Sequence, residues 1–551
     1  MRKVKGICCY LYKHHTRNSM KNFIVKLNNK INGMSKLQEF IWICILSAGL
    51  VFGILLLMGT MTSGWHLTDD HEFLRIIYCS KVEGRSFWDI LSEYTSVDLS
   101  FRFRPIYMPA RVLSCYMFGD NLFLYYLMKA LETFVSCVLL YYIGQQFANN
   151  KLVSFLFAAV SLVGYQSVAW WKLGTHEMQG VLLLSISWLS LMWWLKKGKR
   201  VWEAVSIISA TLMMLYKESF MALVPFVMLF VVYYDLLLDK AEFTWANLWR
   251  IIKKRCDYLI IVGIIFACLA GYLVFGIGLG GYDMSGDGSE SMFSAYWNGI
   301  VGSLEDNLKW YFRFGILFVA ILLTYWDDLK KLWKEMVLAC IFTVPQLVIY
   351  GSVGFSGHYL LPLTIAFSMF FILGMLNWKS LSGKRRTVYI LGVLLLLGAN
   401  GRVALREADY FRLRGVGITT AFETIEELSE ENRDIKVLSC FDYNTEANLT
   451  LQYWLLNRGI DNLYYWREDE KLIDVNYDGS YIVKDMTEIY RIDDMDIVIT
   501  HNREDRHWYY EPTLDLSDFT EIPCGTLTLY VRNNKGLEIP EIQVKALKIN
   551  F

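Results

Sequence analysis

The residues best able to do chemistry lie in five short stretches. "TDDHE" (Thr68–Glu72) sets two carboxylates side by side, with His66 and His71 close to them. Adjacent acids repel and raise each other's pKa unless a cation, a metal ion or a proton donor on a substrate lies against them. Asp69, Asp70 and His71 also supply oxygen and nitrogen donors, so a divalent cation is the cofactor the pattern admits.

"RFRP" (Arg102–Pro105) places two arginines at i and i+2 before a proline. A residue before proline is pushed out of the helical region. In an extended chain both arginines point to one face, and guanidinium forks match phosphate oxygens. The plainer reading, anchoring to lipid headgroups, is nearly the same chemistry. "WWKLGTHEMQG" carries His176 and Glu177, "LYKESF" carries Lys217 and Glu218, and "GFSGHYLLP" carries His358 and Tyr359. Each sets ionisable groups within a turn or so of a long apolar run. Insertion scales put roughly 2.5–3.5 kcal/mol on a charge at mid-bilayer. Taken singly, each stretch also reads as loop charges marking helix ends.

Other chemistry finds no support. "GIGLGG" (Gly276–Gly281) matches GxGxxG by letters, but it ends an apolar run, follows no strand and opens no helix. GKS/GKT, HExxH and GxSxG are absent, and the 11 cysteines contain no CxxC pair. A formal net charge of zero gives no electrostatic case for nucleic acid.

The elements that must position these residues are membrane helices. Of the 551 residues, 54% are hydrophobic, against roughly 45–50% in an ordinary soluble domain. A bilayer core needs about 20 apolar residues per helix. "FIWICILSAGLVFGILLLMGT" (Phe40–Thr60) is the first such run. Others centre near Leu131, Val160, Leu184, Ile208, Leu229, Ile265, Phe318, Phe342, Phe367 and Leu395, which predicts about eleven spans. The basic start, residues 1–38, does not read as a cleaved signal peptide and is placed in the cytoplasm. Alternation then puts the lysine and arginine clusters 196–200, 250–255, 327–331 and 383–386 on the same side.

That topology brings all five polar stretches to the outer face. It makes 61–120 a large outer loop whose second half, amphipathic and rich in arginine and aromatics, is expected to lie on the membrane surface. Residues 39–402 form the transmembrane unit, and 403–551 read as an extracytoplasmic α/β domain. "TTAFETIEELSEENR" and "TEANLTLQYWLLNRG" read as helices; "IKVLSC", "NLYYW", "MDIVITHN" and "TLTLYVRN" read as strands. Cys440 and Cys524 either pair or remain buried thiols.

The ordered set, an acidic pair after the first span, then "RFRP", "LGTHE" and "KES", resembles the GT-C class of integral-membrane glycosyltransferases. It is similar in particular to bacterial relatives of the dolichyl-phosphate-mannose protein mannosyltransferases. The resemblance covers roughly residues 40–400. It implies a polyprenyl-phosphate-linked sugar donor, used outside the cytoplasm on a hydroxyl of a surface glycan, lipid or protein. The family's catalytic base, which takes the proton of the acceptor hydroxyl, falls on Asp69 or Asp70, with Asp70 slightly preferred. Arg102 and Arg104 become candidates for the lipid phosphate, and Lys217 and Glu218 match its "KE" turn. His176, Glu177 and Tyr359 fall among the substrate-binding candidates. "SGHYLLP" departs from the family's "RYLLP": His358 stands where arginine would be, and a neutral imidazole is a poor phosphate ligand. The alternatives are a transporter or flippase of lipid-linked sugars, for which Lys129 and Glu132 are the ionisable groups inside a span, and a membrane anchor for the C-terminal domain.

Overall fold

The computed structural model describes residues 30–277 apart from 68 and 149, together with 333–353, 357–365, 368, 382–431, 434–441, 445–465, 492–502 and 514–533. The chain is an integral membrane protein. Six described helices are long and apolar enough to span a bilayer, or seven if the bent pair Lys151–Leu162 and Tyr165–Trp171 is one span. The expected spans near Ile208 and Phe342 are helices Arg200–Tyr216 and Trp333–Val353. Those near Phe318 and Phe367 lie outside the described residues.

Helix α1 (Lys36–Met58) shows how sequence sets a span. Ser35 and Gln38 cap its start reciprocally, and Gly59 ends it in the left-handed conformation that glycine adopts without strain. Ile43, Ser47, Val51 and Leu55 recur every fourth residue and are buried, while Ile45, Leu56 and Leu57 are apolar and exposed. A helix apolar all round, with one stripe packed on protein, is suited to lipid on its other faces.

The chain next forms three short helices, α2 (His71–Lys81), α3 (Phe87–Phe101) and α4 (Tyr107–Phe118). Then come α5 (Leu122–Ala148), α6 (Lys151–Leu162) and the single turn α7 (Val168–Trp171). Helices α8 (Glu177–Lys197) and α9 (Arg200–Tyr216) follow, and then α10 (Glu218–Met221) with α11 (Val224–Leu238), which together make one span. Trp188 of α8 packs edge-on to Phe226 and Phe230 of α11, and this aromatic cluster centres the bundle.

Lys129 on α5 is buried and donates to the carbonyls of Lys172 (2.6 Å) and Thr175 (2.5 Å) and to the Thr175 hydroxyl (2.8 Å). It therefore fixes the turn between α7 and α8. An ammonium takes three donors' worth of partners, so a buried lysine this well satisfied serves as a structural pin.

A single helix, Gly383–Glu431, runs 49 residues from an apolar span into the polar C-terminal region, or ~74 Å at 1.5 Å per residue. Two glycines let other parts of the chain reach its backbone. A Cβ at Gly415 would meet the Ser63 carbonyl at 2.4 Å, and one at Gly417 would meet the Cys524 carbonyl at 2.4 Å. The helix thus joins the loop after α1 to the C-terminal sheet.

That sheet has five strands: β1 (Val437–Cys440), β2 (Leu463–Tyr465), β3 (Ile497–His501), β4 (Phe519–Cys524) and β5 (Leu527–Arg532), in the order β2-β1-β3-β5-β4. β1 runs parallel to both β2 and β3, and β5 is antiparallel to β3 and β4. Parallel neighbours need a crossover, and helix Thr445–Leu456 supplies the one between β1 and β2. The four expected strands are present, with β4 in addition. Cys440 and Cys524 are buried free thiols.

Candidate active site

The loop that follows α1 carries the acid pair in a tight, strained path. Leu67 and Asp69 both have positive φ, 63° and 62°. Non-glycine residues in that region cost of order 1–3 kcal/mol each and persist only where the surroundings over-determine them. For Asp69 the surroundings are specific. Its carboxylate pairs with Lys172 Nζ at 2.9 Å, and its N–H donates to Glu446 Oε2 at 3.0 Å. Gly174 presses against it, since a Cβ there would lie 1.9 Å from the Asp69 Cβ. The glycine of "LGTHE" is therefore a close-approach position.

The two aspartates occupy opposite environments. Asp69 keeps 34% of its side chain exposed. Asp70 is fully buried, accepts the His66 N–H through Oδ2, and has no hydrogen-bond partner at Oδ1 among the described residues. Burial would raise the Asp69 pKa, but the Lys172 ammonium outweighs it and holds Asp69 well below the usual carboxylate range. Burial, with Asp69 adding a like charge, pushes Asp70 up to about 7 despite the His66 N–H. The preference for Asp70 as the reacting acid thus meets a geometry in which Asp69 is the accessible carboxylate. His66 and His71 are buried, and desolvation drives them down to about 3 and about 4, so both are neutral. Among the described residues no group of three His, Cys, Asp or Glu side chains converges as a metal site. Asp69 turns to Lys172 and Asp70 to the His66 N–H, which parts the donors named for such a site.

The other stretches gather around this loop, at one end of the bundle. Glu177 at the start of α8 is buried, accepts the His176 N–H at 3.1 Å and forms an ion pair with Lys217. The Lys217 ammonium also stands 4.6 Å from the Tyr359 ring centroid. Burial first, and the cations Lys217, Arg104 and Arg111 second, depress the His176 pKa far below its ordinary value. Its ring packs 4.2 Å from that of Tyr107, and its Nε2 is buried without a hydrogen-bond partner among the described residues. Burial, then Lys172 and Lys217 against an opposing Glu177, lowers His358 to about 3.

"RFRP" divides where a shared face was expected. Arg102 is extended, exposed and without an ion-pair partner among the described residues. Arg104 is buried and forks onto Asp98 of α3, with its Nε 2.9 Å from Oδ1. The last turn of α3 captures one arginine and leaves the other to solvent. "KE" divides similarly: Lys217 joins Glu177, while Glu218 Oε2 is buried with no hydrogen-bond partner among the described residues.

Lys172, Glu446 and Arg111 complete the cluster. Arg111 of α4 pairs with Glu72, donates to the Gly174 carbonyl at 2.7 Å, and lies between the Phe73 and Tyr107 rings at 4.4 Å from each. It ties the "TDDHE" stretch to "LGTHE". Four ion pairs therefore surround the acid loop, Asp69–Lys172, Glu72–Arg111, Asp98–Arg104 and Glu177–Lys217.

No protein-family model matches the sequence, and no curated protein matches it. Among solved structures, the chain is similar to the apo oligosaccharyltransferase of Archaeoglobus fulgidus, with 11% identity, a TM-score of 0.44, and coverage of 76% of this chain and 64% of that one. It is also similar to ArnT from Cupriavidus metallidurans bound to undecaprenyl phosphate, with 11% identity, a TM-score of 0.40, and coverage of 75% and 84%. A third is archaeal AglB from A. fulgidus with an inhibitory peptide and a dolichol-phosphate, at 11% identity, a TM-score of 0.40, and coverage of 78% and 64%. The chain thus spans under two thirds of the length of the Archaeoglobus proteins.

Lys172, Arg111 and Glu446 were not singled out in the sequence. Arg111 had one local signal: it stands i+4 from Tyr107, a spacing that stacks side chains on a helix face. Glu446 had none, because its partner Asp69 lies 377 residues away.

Proposed function

We propose that the chain is a membrane glycosyltransferase of the GT-C kind, which moves a hexosyl or pentosyl group from a polyprenyl-phosphate donor to a hydroxyl acceptor. The acceptor belongs to a surface glycan, lipid or protein, and the reaction runs at the outer face of a bacterial plasma membrane. Asp69 carries this reading: it is an ionised, accessible carboxylate locked in a strained loop beside a lysine. In the proposed step Asp69 takes the acceptor hydroxyl proton while that oxygen attacks the anomeric carbon. The bond from that carbon to the phosphate oxygen breaks, and polyprenyl phosphate leaves with the electron pair.

In this reading Lys172 and Arg102 are the cations that stabilise the leaving phosphate. As the phosphate approaches Lys172, the pairing that depresses Asp69 weakens and the carboxylate becomes more basic. Arg104, Lys217, Glu177, His176, Tyr359 and His358 shape the floor, with Arg104 and Lys217 already engaged by Asp98 and Glu177. Asp70 holds the loop and keeps its own proton below about pH 7. A divalent cation, if used, would draw on Asp69 as its accessible ligand. Transport is less well supported, because Lys129 is pinned by carbonyls and Glu132 accepts from Gln179.

The test is transfer of radiolabelled sugar from a polyprenyl-phosphate donor by the purified protein in liposomes. Asp69→Asn is expected to lower the rate by at least about 100-fold, in the range removed with a general base. An unchanged rate would remove Asp69 from the mechanism.

A further inference from the structure

We propose that Glu446, on the first turn of helix Thr445–Leu456 in the C-terminal region, is a positioning residue for Asp69, so that the acid site is completed by the C-terminal domain. This rests on the glycosyl-transfer reading for its kinetic arm only.

Asp69 needs outside support, because its backbone is held at φ 62° with a second strained residue, Leu67, two positions earlier. Lys172 fixes the carboxylate, and Gly174 closes the space behind its Cβ. Neither contact holds the peptide itself. The Asp69 N–H is held by the Glu446 carboxylate at 3.0 Å, a charge-assisted bond of the stronger class. Glu446 is half-buried, so water competes less well for that N–H.

The helix bearing Glu446 is itself docked where the acid loop ends. Asn457, just past its C-terminus, donates to the Leu74 carbonyl of α2 at 3.0 Å. Tyr453 packs its ring 5.8 Å from that of Tyr78, and the Arg75 guanidinium lies 5.9 Å from the Tyr453 ring centroid. Since α2 begins at His71, immediately after the acid pair, these contacts set the height at which Glu446 meets Asp69. The C-terminal domain therefore acts on the reacting carboxylate through the backbone of its loop.

The test uses the full-length protein in nanodiscs and compares Glu446→Ala with Glu446→Gln. Glutamine retains a carbonyl oxygen that accepts from the Asp69 N–H; alanine does not. In Glu446→Ala, amide exchange of the peptide covering residues 66–73 should rise about tenfold, as expected for loss of one hydrogen bond, with peptides of α2 and β3 unchanged. Glu446→Gln should restore most of the protection. In the transfer assay kcat should fall about tenfold for alanine, with the donor KM within about twofold of wild type. Unchanged loop exchange in Glu446→Ala, or a glutamine variant as unprotected as alanine, would overturn the proposal. If wild-type protein transfers no sugar while the exchange pattern is as expected, the positioning role stands and the glycosyl-transfer reading alone fails.

Discussion

Asp69 and Asp70 are neighbours in the chain, yet they sit in two different regions of the molecule. Asp69 opens toward the turn between α7 and α8, where Lys172 neutralises it and Glu446 holds its backbone. Asp70 points into the packing between the loop after α1 and the long helix, beside His66, whose ring meets that of Phe411 at 5.4 Å. Environments that push two carboxyl groups apart in this way divide the labour between an ionised group and a protonated one. Identical side chains one residue apart thus receive different chemistry from their surroundings, the Lys172 ammonium at Asp69 and burial at Asp70.

That contrast can be broken from either side. The largest effect is expected from Lys172→Met, which strips Asp69 of its counter-ion and the donor phosphate of a cation. Transfer should fall by about 100-fold or more, measured with labelled donor in liposomes. Gly174→Ala comes next. Its new methyl has no room beside Asp69, so the loop must move, and a displacement of about 1 Å in a reacting group can cost 10²-fold. The same assay reads it, and circular dichroism checks that the fold persists. Arg102→Ala should be milder, since Arg102 is exposed and has no ion-pair partner among the described residues. An increase in donor KM of about tenfold with kcat little changed is the expected pattern.

The smallest effect concerns stability. Burial raises the Asp70 pKa from its ordinary 3.8 to about 7. Between those values the folded state binds the proton more tightly than the unfolded one, so stability falls as pH rises through that window. Asp70→Asn should flatten this slope, and its Tm relative to wild type should improve between about pH 5 and about pH 8. A wild-type Tm that rises over that range in parallel with the variant's would contradict the burial argument.

Much of this arrangement could be read in the sequence, and the part that could not has a physical explanation. The polar stretches around Asp69, Arg104, Glu177, Lys217 and Tyr359 were legible because charge at the end of an apolar run needs a reason, and span alternation put them at one end. Their pairings were not legible. Which acid faces the opening depends on φ at Asp69. Whether two arginines share a face depends on Asp98 lying within reach of Arg104. The strands "VLSC" and "IVITH" announced themselves as apolar, β-branched runs, and both are wholly buried. "FTEIPC" did not, because it is the edge strand β4, half exposed and carrying Pro523. Glu446 lay beyond any local pattern, since only the docking of its helix on α2 makes it part of the site.

The division of labour between the two acids is tested most directly by measuring transfer rates of Asp69→Asn and Asp70→Asn side by side from about pH 5 to about pH 8. Asp69→Asn should be inactive throughout. Asp70→Asn should retain at least about a tenth of the wild-type rate, as expected when a residue acts through its neighbour, and should lose any inflection near pH 7. The reverse result, an inactive Asp70→Asn beside an active Asp69→Asn, would contradict the account.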